Sequence, residues 1–464
     1  MTKPLSTAES EPATTAEKGD LEDRAHGSPP IVFKQLLKSA SGTAVLQLTS
    51  GGASFLTTLL LARFLGRESY GLYAFSFAWA GLLALVSTIG VDRFLVRGIA
   101  VYEVQEKWQL TMGLLRRANQ LVFFTSVMIA GGGCIIAVAW LSPSLRGPFS
   151  VAMLLVPLTA LTRLRQGAMQ AFGRVVSGQL PEYLIRPLLI LAGIGLLKWL
   201  GRGILSPTTA LGVNVVGVVT AFTVGTVLLF RALPANLRLV RPEFATREWM
   251  RASLSMMLIA GAWLLNNYVG TLVAGTLRGP GAAGVFAVVQ SSAGLIVIFL
   301  MAANMPLAPV VARLHARGDR QQLESTTERI ARAGLLVSTP VCVAFALFPG
   351  VFLGFFGTGF RTGSTALTIL ALGQLVNAAA GPSGNVLMMT GHELAAARAV
   401  GAAAAANLVL AILLVPPLGV TGSAIAFASS LILWNISLVI IARRRLGVNV
   451  TAFRRLSVLQ STPG

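Results

Sequence analysis

Histidine, cysteine and acidic side chains are scarce in this chain, and each shortage excludes a class of chemistry. Of 464 residues, three are His, two are Cys and 17 are Asp or Glu. None of them has metal-site spacing, and no loop ends in the Gly-Lys-Ser/Thr of a nucleotide-binding P-loop. Cys134 and Cys342 both lie in apolar runs, which favours packing over a disulfide. We therefore expect no metal, no other cofactor and no catalytic residues.

Charged residues are also few, at 12% of the chain, whereas 54% of residues are hydrophobic. With a mean hydropathy of +0.73, a soluble domain could not cover its apolar surface, so the composition predicts a membrane protein. A helix crosses the hydrocarbon core with about 20 apolar residues. Twelve runs are long enough, at 41–62, 72–91, 119–141, 149–169, 180–200, 208–230, 252–277, 283–303, 333–353, 365–389, 395–415 and 421–442. The sequence predicts an all-α polytopic membrane protein with twelve transmembrane helices.

Basic residues are the exception to this scarcity, since 37 Lys and Arg give a net charge of +20. Such a charge first suggests nucleic acid, yet membrane topology accounts for it better. With a cytoplasmic N-terminus, the inner segments carry about four times as many Lys and Arg as the outer ones, a strong positive-inside signal. We therefore expect a multi-pass protein of the inner (plasma) membrane with both termini cytoplasmic. Its basic loops face membrane lipids, and nucleic acid is not a partner.

A short pattern occurs twice, 213 positions apart, and opens each half of the chain with the same layout. In both copies a long apolar run ends at a short Gly-rich turn, and a second run starts at an aromatic residue. The first copy consists of residues 60–66 and 70–74, and the second of residues 272–277 and 283–287. Their alignment needs one inserted residue between Leu277 and Gly284. Each half holds six predicted spans, an even number, so both halves insert with the same orientation. We predict two six-helix bundles related by a pseudo-two-fold axis along the membrane normal.

The predicted organisation follows from these spans. Residues 1–38, polar and rich in Ser, Thr, Glu and Pro at the start, form a disordered cytoplasmic tail and an interfacial helix. Residues 39–230 form the N-terminal bundle, 231–251 a cytoplasmic linker and natural hinge, 252–442 the C-terminal bundle, and 443–464 a basic cytoplasmic tail. The Gly381-Pro382-Ser383-Gly384 sequence predicts a break in the tenth span, tolerated where it lines a cavity.

Several further stretches carry a family resemblance through their order and spacing. They are 61–66 with 70–73, 95–100, 306–319, 369–373 with 381–382, 387–393 and 416–426. On these motifs the chain resembles the polysaccharide (O-antigen and exopolysaccharide repeat-unit) flippases. That family belongs to the multidrug/oligosaccharidyl-lipid/polysaccharide exporter superfamily.

The resemblance implies a carrier that moves a polyprenyl-pyrophosphate-linked oligosaccharide from the inner to the outer leaflet by alternating access. Polysaccharide polymerase and glycosyltransferases are then the expected partners. The alternative is a cation-coupled multidrug or other small-solute exporter of the same fold, for which a carboxylate-rich cavity would be expected. A polymerase or glycosyltransferase is disfavoured because the predicted outer loops are short.

Charges within or beside the spans are candidates for function, because a buried, unpaired Arg costs at least about 2.5–3.5 kcal/mol on insertion. Glu182 and Arg186 lie four apart on the fifth helix and are able to pair along one face. A structural ion pair is the first interpretation, and the alternative is that Glu182 binds a coupling proton or cation. Arg63 at an outer helix end, and Arg93 with Arg97 at an inner one, are candidate pyrophosphate ligands. Snorkelling and positive-inside anchoring are the alternatives.

Uncharged polar residues within the spans mark a second set of candidates. In the resembled superfamily the first two helices of each half line the central cleft. Gln47, Asn266, Asn267 and Gln290 occupy those helices, and their amides suit recognition of sugar hydroxyls. The alternative is hydrogen bonding between helices, worth about 0.6 kcal/mol on average.

Overall fold

The computed structural model of the protein describes residues 30–201, 205–234, 237, 240–304 and 307–453, and within these ranges no strand occurs. The predicted disordered tail at 1–29 and the end of the basic tail at 454–464 lie outside the described residues. The α-helices are α1 (Pro30–Thr88), α2 (Val91–Val104), α3 (Trp108–Trp140), α4 (Pro143–Ala171), α5 (Val175–Leu180), α6 (Arg186–Leu200), α7 (Pro207–Ala232), α8 (Thr246–Arg278), α9 (Pro280–Asn304), α10 (Leu307–Ala316), α11 (Arg320–Leu347), α12 (Pro349–Gly354), α13 (Ser364–Ala380), α14 (Ser383–Met389), α15 (Glu393–Leu418) and α16 (Val420–Leu446). A π-helical turn (Pro181–Ile185) joins α5 to α6, and a 3-10 helix (Thr358–Gly363) precedes α13.

These helices make twelve spans. Helix α1 contains two of them, because Gly66 has non-helical angles (φ 76°, ψ 175°) that divide it into α1a (30–65) and α1b (67–88). The fifth span combines α5, the π-helical turn and α6. Ten stretches of the described chain are long and apolar enough to cross a membrane. One of them, Val45–Val104, contains two spans, because it includes much of α1a and all of α1b, so the ten stretches hold eleven spans. Helix α8 adds the twelfth. The prediction of a twelve-helix polytopic fold is confirmed.

The two halves meet at the turns that the repeat predicted. Gly279, between α8 and α9, has the conformation of Gly66 (φ 84°, ψ 175°) and lies 213 positions after it. A Cβ built on Gly71 would lie 1.8 Å from the carbonyl oxygen of Pro280, and one on Gly284 would lie 2.6 Å from that of Arg67. Positions 71 and 284 are equivalent in the repeat, as are 67 and 280. This reciprocal approach, named the glycine contact below, closes one end of the interface around the pseudo-two-fold axis.

The segment before α8 packs against the first half. The Glu243 amide donates to the carbonyl of Gln109 at 3.0 Å, and the Trp249 indole donates to the Tyr102 hydroxyl at 2.9 Å. Trp249 is buried within the core formed by α2, α3, α4 and α7. The last part of the 231–251 linker is therefore packed against the first half, and its role as a hinge stays a prediction.

The start of the C-terminal tail fills the break between α13 and α14. The Ala452 amide donates to the carbonyl of Ala379 at 2.9 Å, which α13 leaves unpaired at its end. Val450 is fully buried, and its carbonyl oxygen would lie 2.3 Å from a Cβ on Gly381, where φ is +67°. The predicted break is thus covered by backbone of residues 447–453, which we name the tail strap.

Replacing Gly381 with Ala is expected to lower thermal stability, because the new Cβ meets the Val450 carbonyl and the left-handed conformation costs about 1–3 kcal/mol. Gly384→Ala is the matched control, since its Cβ would meet only Leu438 at an ordinary 3.6 Å. The measurement is the unfolding temperature of each purified variant in detergent. Equal temperatures for the two variants would contradict the role of the tail strap at this break.

Candidate functional site

A cavity of two connected compartments lies between the halves. The larger compartment, about 610 Å³, is lined from α1, α6, α7, α8, α9 and the π-helical turn. The smaller one, about 240 Å³, extends along α4 towards the end opposite the glycine contact. Both compartments are lined by Phe77, Glu182, Tyr183, Arg186 and Tyr268, so they form one continuous space. Its size falls within the range of about 300–1,000 Å³ typical of small-molecule sites.

The larger compartment lies on the pseudo-two-fold axis. Three pairs of its lining residues on α1b and α9 are related by the 213-residue offset: Ala74 and Ala287, Phe77 and Gln290, and Ala78 and Ser291. The same helix faces of both halves therefore build the wall. The side chains at these equivalent positions mostly differ, which makes the two faces chemically distinct.

The ion pair of Glu182 and Arg186 lies where the two compartments join. Glu182 is on the π-helical turn, in which the Arg186 amide donates to the Pro181 carbonyl five residues earlier. Proline at 181 and 187 removes two helical amide donors, and π-turns of this kind occur often at functional sites. An Arg186 Nη1 to Glu182 Oε1 hydrogen bond links the pair, whose side chains are 12% and 22% exposed.

The charge around this pair is unbalanced. The second carboxylate oxygen of Glu182, Oε2, is buried and has no hydrogen-bond partner in the structure. Arg163, on α4, lines the smaller compartment and adds a second guanidinium. Two arginines and one carboxylate thus line the two compartments, a net charge of one positive unit with no other acidic residue in the lining. This arrangement suits an anion able to accept several hydrogen bonds from guanidinium groups.

Comparison with known families assigns the chain. Residues 36–315, more than half of its length, match the family described as polysaccharide biosynthesis protein, and residues 255–413 match the MatE family. The chain belongs to the polysaccharide biosynthesis protein family. It is thereby a member of the superfamily of multidrug and polysaccharide exporters, and its family indicates a transporter and not an enzyme.

Two curated proteins are similar to this chain. It is 22% identical over 400 residues to a probable low-salt glycan biosynthesis flippase of Haloferax volcanii, covering 85% of this chain and 81% of that protein. It is 24% identical over 196 residues to an uncharacterized membrane protein of Methanocaldococcus jannaschii, covering 40% of this chain and 39% of that one.

Solved structures share its fold. A MATE family multidrug transporter in the inward-facing conformation has a TM-score of 0.68 at 14% identity, covering 87% of this chain and 98% of that chain. A transporter of the same superfamily from Pyrococcus furiosus, whose binding pocket is described as reversed in polarity, has a TM-score of 0.61 at 14% identity, covering 88% and 96%. An outward-facing MATE transporter has a TM-score of 0.55 at 14% identity, covering 88% and 96%.

The predicted site residues of this family member separate into two groups. Glu182, Arg186, Asn267 and Gln290 line the cavity. Asn266 faces the interior of the second half instead, where its side-chain oxygen accepts hydrogen bonds from Asn407 Nδ2 and Ser430 Oγ, both at 2.8 Å.

The remaining predicted residues do not line the two compartments. Arg63 is exposed near the glycine contact, and its Nη1 donates to the Phe355 carbonyl at 2.9 Å. Arg93 and Arg97 are exposed on α2, and Gln47 is half-buried on α1a. The interpretation of these arginines as pyrophosphate ligands stays a prediction, and the structure places them outside the described cavity walls.

Arg163 is a charged cavity residue that the sequence did not predict as part of the site, and Tyr70, Tyr73 and Phe77 are aromatic ones. Arg163 ends an apolar run at the side richest in basic residues, a context that indicates a positive-inside anchor. Arg165, two positions later, has the same sequence context but the opposite surroundings, because its guanidinium donates to Asn119 and Thr226 inside the first half. Residues two apart do not share a helix face, so only one of these arginines reaches the cavity. The sequence alone contains no signal that Arg163, and not Arg165, reaches the cavity.

Proposed function

We propose that this protein is a flippase that moves a polyprenyl-pyrophosphate-linked oligosaccharide from the inner to the outer leaflet by alternating access. The observation that carries the proposal is the cavity itself, in which a smaller compartment lined by two arginines and one carboxylate adjoins a larger one of zero net charge, lined by aromatic, hydroxyl and amide side chains. Pyrophosphate carries negative charge out of water and needs fixed positive partners. An attached glycan needs hydroxyl and amide groups. The family match and the Haloferax volcanii relative, a probable glycan biosynthesis flippase, agree with this chemistry.

In this proposal Arg186 exchanges one anionic partner for another. Without cargo it pairs with Glu182, which keeps the buried charge neutralised. Pyrophosphate reaches Arg186 by taking the place of the carboxylate, while Arg163 binds the same group from α4. The displaced Glu182 then takes up a proton or another cation, which gives the unpartnered Oε2 a role in coupling. The coupling ion is part of the proposal.

The orientation follows from the charge distribution. We propose that the Arg-rich loops and both termini lie on the cytoplasmic side of the plasma membrane, so that the glycine contact closes the outer end. The membrane potential then assists export, since moving a head group of two negative charges outward across 100 mV gains about 4–5 kcal/mol. Polysaccharide polymerase and glycosyltransferases are the expected partners on the two sides.

A second candidate is a multidrug or other small-solute exporter of the same fold. The MatE match over residues 255–413 and the MATE structures favour it. A cationic drug, however, needs more negative charge than the single Glu182 carboxylate in the described cavity lining provides. We therefore place the glycan flippase first.

The experiment that decides between the two is lipid analysis of a deletion strain. Lipids are extracted and fractionated for polyprenyl-pyrophosphate oligosaccharides, and the surface polymer is quantified beside a strain complemented with the wild-type chain. The flippase predicts accumulation of a complete repeat unit on the lipid carrier, with the surface polymer lost. Normal polymer without an accumulating lipid, in a strain cleared of other flippases, would favour the solute exporter.

A further inference from the structure

We propose that the larger compartment is a glycan subsite with an aromatic face on one side and an amide face on the other, so that cargo is bound with its sugars towards the glycine contact. This inference rests on the proposed function and adds the position and orientation of the cargo. Its three supporting observations are the location of the charges, a ladder of rings on α1b, and the hydrogen bonding of two amides.

The charges divide the cavity into an ionic and a neutral part. Arg163 lines only the smaller compartment, while Glu182 and Arg186 lie at its junction with the larger one. No further charged side chain lines the larger compartment. A head group that places its pyrophosphate on the two arginines therefore extends its glycan along α1b, away from Arg163 and towards Tyr70.

The aromatic face is formed by Tyr70, Tyr73 and Phe77, which lie on one side of α1b. The rings of Tyr70 and Tyr73 have centroids 5.8 Å apart and planes 28° apart, and those of Tyr73 and Phe77 are 5.9 Å and 10° apart. The Tyr73 hydroxyl accepts a hydrogen bond from Asn214 Nδ2 at 3.1 Å, which holds the middle ring in place. Ring faces carry partial negative charge, and the C–H groups on one side of a sugar ring carry partial positive charge. Tyr70 and Tyr73 are buried and support the series, whereas Phe77 is half-buried and is the ring that offers surface to the C–H groups of a sugar.

The amide face comes from the second half. Gln290 is the repeat equivalent of Phe77, and its Nε2 donates to the Asn267 carbonyl at 2.8 Å. The Asn267 side-chain amide in turn donates to the Trp263 carbonyl at 2.8 Å. Each bond fixes an amide group through its nitrogen, so the side-chain oxygen remains an acceptor for sugar hydroxyls. Site groups that bond a hydroxyl discriminate strongly against cargo that lacks it.

The pseudo-symmetry explains why one site presents both surfaces. Equivalent positions on α1b and α9 face each other across the axis, and one half supplies Phe77 where the other supplies Gln290. A sugar ring between them offers its C–H side to the first and its hydroxyls to the second. The subsite therefore exists only when both halves close around the cargo at this end.

The test uses two reporter cysteines in the full chain, purified in lipid nanodiscs with Cys134 and Cys342 replaced by Ala. Ser291→Cys reports on the larger compartment, and Thr159→Cys reports on the smaller one. Labelling by a small water-soluble maleimide is timed with inorganic pyrophosphate, with farnesyl pyrophosphate, or with farnesyl-pyrophosphoryl N-acetylglucosamine. We expect the first two probes to slow labelling at 159 only, and the glycosylated probe to slow it at both positions. At ten times Kd the slowing is about tenfold, because labelling follows the unoccupied fraction.

A ring substitution then tests the aromatic face. Phe77→Leu keeps the site apolar and is expected to abolish the slowing at 291 while retaining it at 159. Phe123→Leu, which removes an exposed ring on α3, is the control and should change neither rate. If the glycosylated probe slows labelling at 291 no more than farnesyl pyrophosphate does, the glycan subsite is wrong although phosphate binding stands. If no probe slows either position, the proposed function itself is wrong.

Discussion

The double variant Glu182→Gln/Arg186→Gln is expected to lose polymer export, with binding of the pyrophosphate group weakened about 10- to 100-fold. Hydrogen bonds to charged groups contribute about 1.5–3 kcal/mol each, and every 1.4 kcal/mol is a factor of about ten in affinity. Arg186 is the arginine that both compartments share. Removing it takes away the cation at the junction, where the head group is proposed to bind.

The double variant is preferable to Arg186→Gln alone for a physical reason. The pair is largely buried, and removing one partner leaves the other charge uncompensated, which typically destabilises by about 3–5 kcal/mol. A loss of export in the single variant would then reflect the amount of folded protein. With both residues neutral, no uncompensated charge is left in the interior.

The measurement is surface polymer together with the lipid-linked intermediate, at protein levels matched by immunoblot. Arg116→Gln is the control, because it removes one basic charge from an exposed position on α3 that does not line the cavity. We expect the double variant to accumulate the intermediate and Arg116→Gln to export normally. Normal export by the double variant would show that the ion pair is only structural.

The twelve spans were predictable because an apolar run of about 20 residues matches the thickness of the hydrocarbon core. A water-soluble fold of this chain could not bury twelve such runs in its interior. The turns at Gly66 and Gly279 were predictable too, since the repeat places a glycine at the end of the first apolar run in each half. The sequence did not show that these turns touch. Contact between Gly71 and Pro280 depends on how two bundles pack across the axis, which periodicity along one chain does not specify.

The site was predictable only where a residue type was unusual for its depth in the membrane, as a charged residue is within an apolar span. Glu182 and Arg186 stood out because two charges four apart in an apolar run are costly unless they pair or function. Asn266 and Asn267 were inseparable in sequence, yet a rotation of about 100° between neighbouring helical residues sends one to the cavity and the other into a network with Asn407. Helix rotation is set by tertiary packing, so neither this difference nor the role of Arg163 followed from the pattern.

The tail strap shows a further limit of sequence reasoning. The basic composition of residues 443–464 suggested interaction with lipid, and the Gly381 region suggested a hinge. In the structure the two meet, because Val450 and Ala452 cover the break with buried backbone. A seven-residue stretch of mixed polar and apolar residues after a basic helix end carries no pattern that indicates its partner.

Replacing Gly71 with Ala is expected to hold the end at the glycine contact open and abolish transport. The added Cβ would lie 1.8 Å from the carbonyl oxygen of Pro280, a backbone atom that no change of rotamer moves. Overpacking of this kind costs about 1–3 kcal/mol, occasionally more. Since 1.4 kcal/mol changes an equilibrium tenfold, the closed state should lose population by about tenfold or more. Gly284→Ala should act in the same direction, because its Cβ would meet the Arg67 carbonyl at 2.6 Å.

Cysteine labelling in intact cells measures this shift. With Ser291→Cys as reporter in a background without other cysteines, an impermeant maleimide added outside should react faster in Gly71→Ala than in the parent. Gly52→Ala is the matched control on the same helix, since nothing lies within 4 Å of its Cβ, and it should leave the rate unchanged. Unchanged labelling together with normal export would contradict the gate. A reduced protein level without faster labelling would show that the two glycines serve only folding. Faster labelling at a normal protein level would require that the two halves separate at the glycine contact when the cavity opens outward.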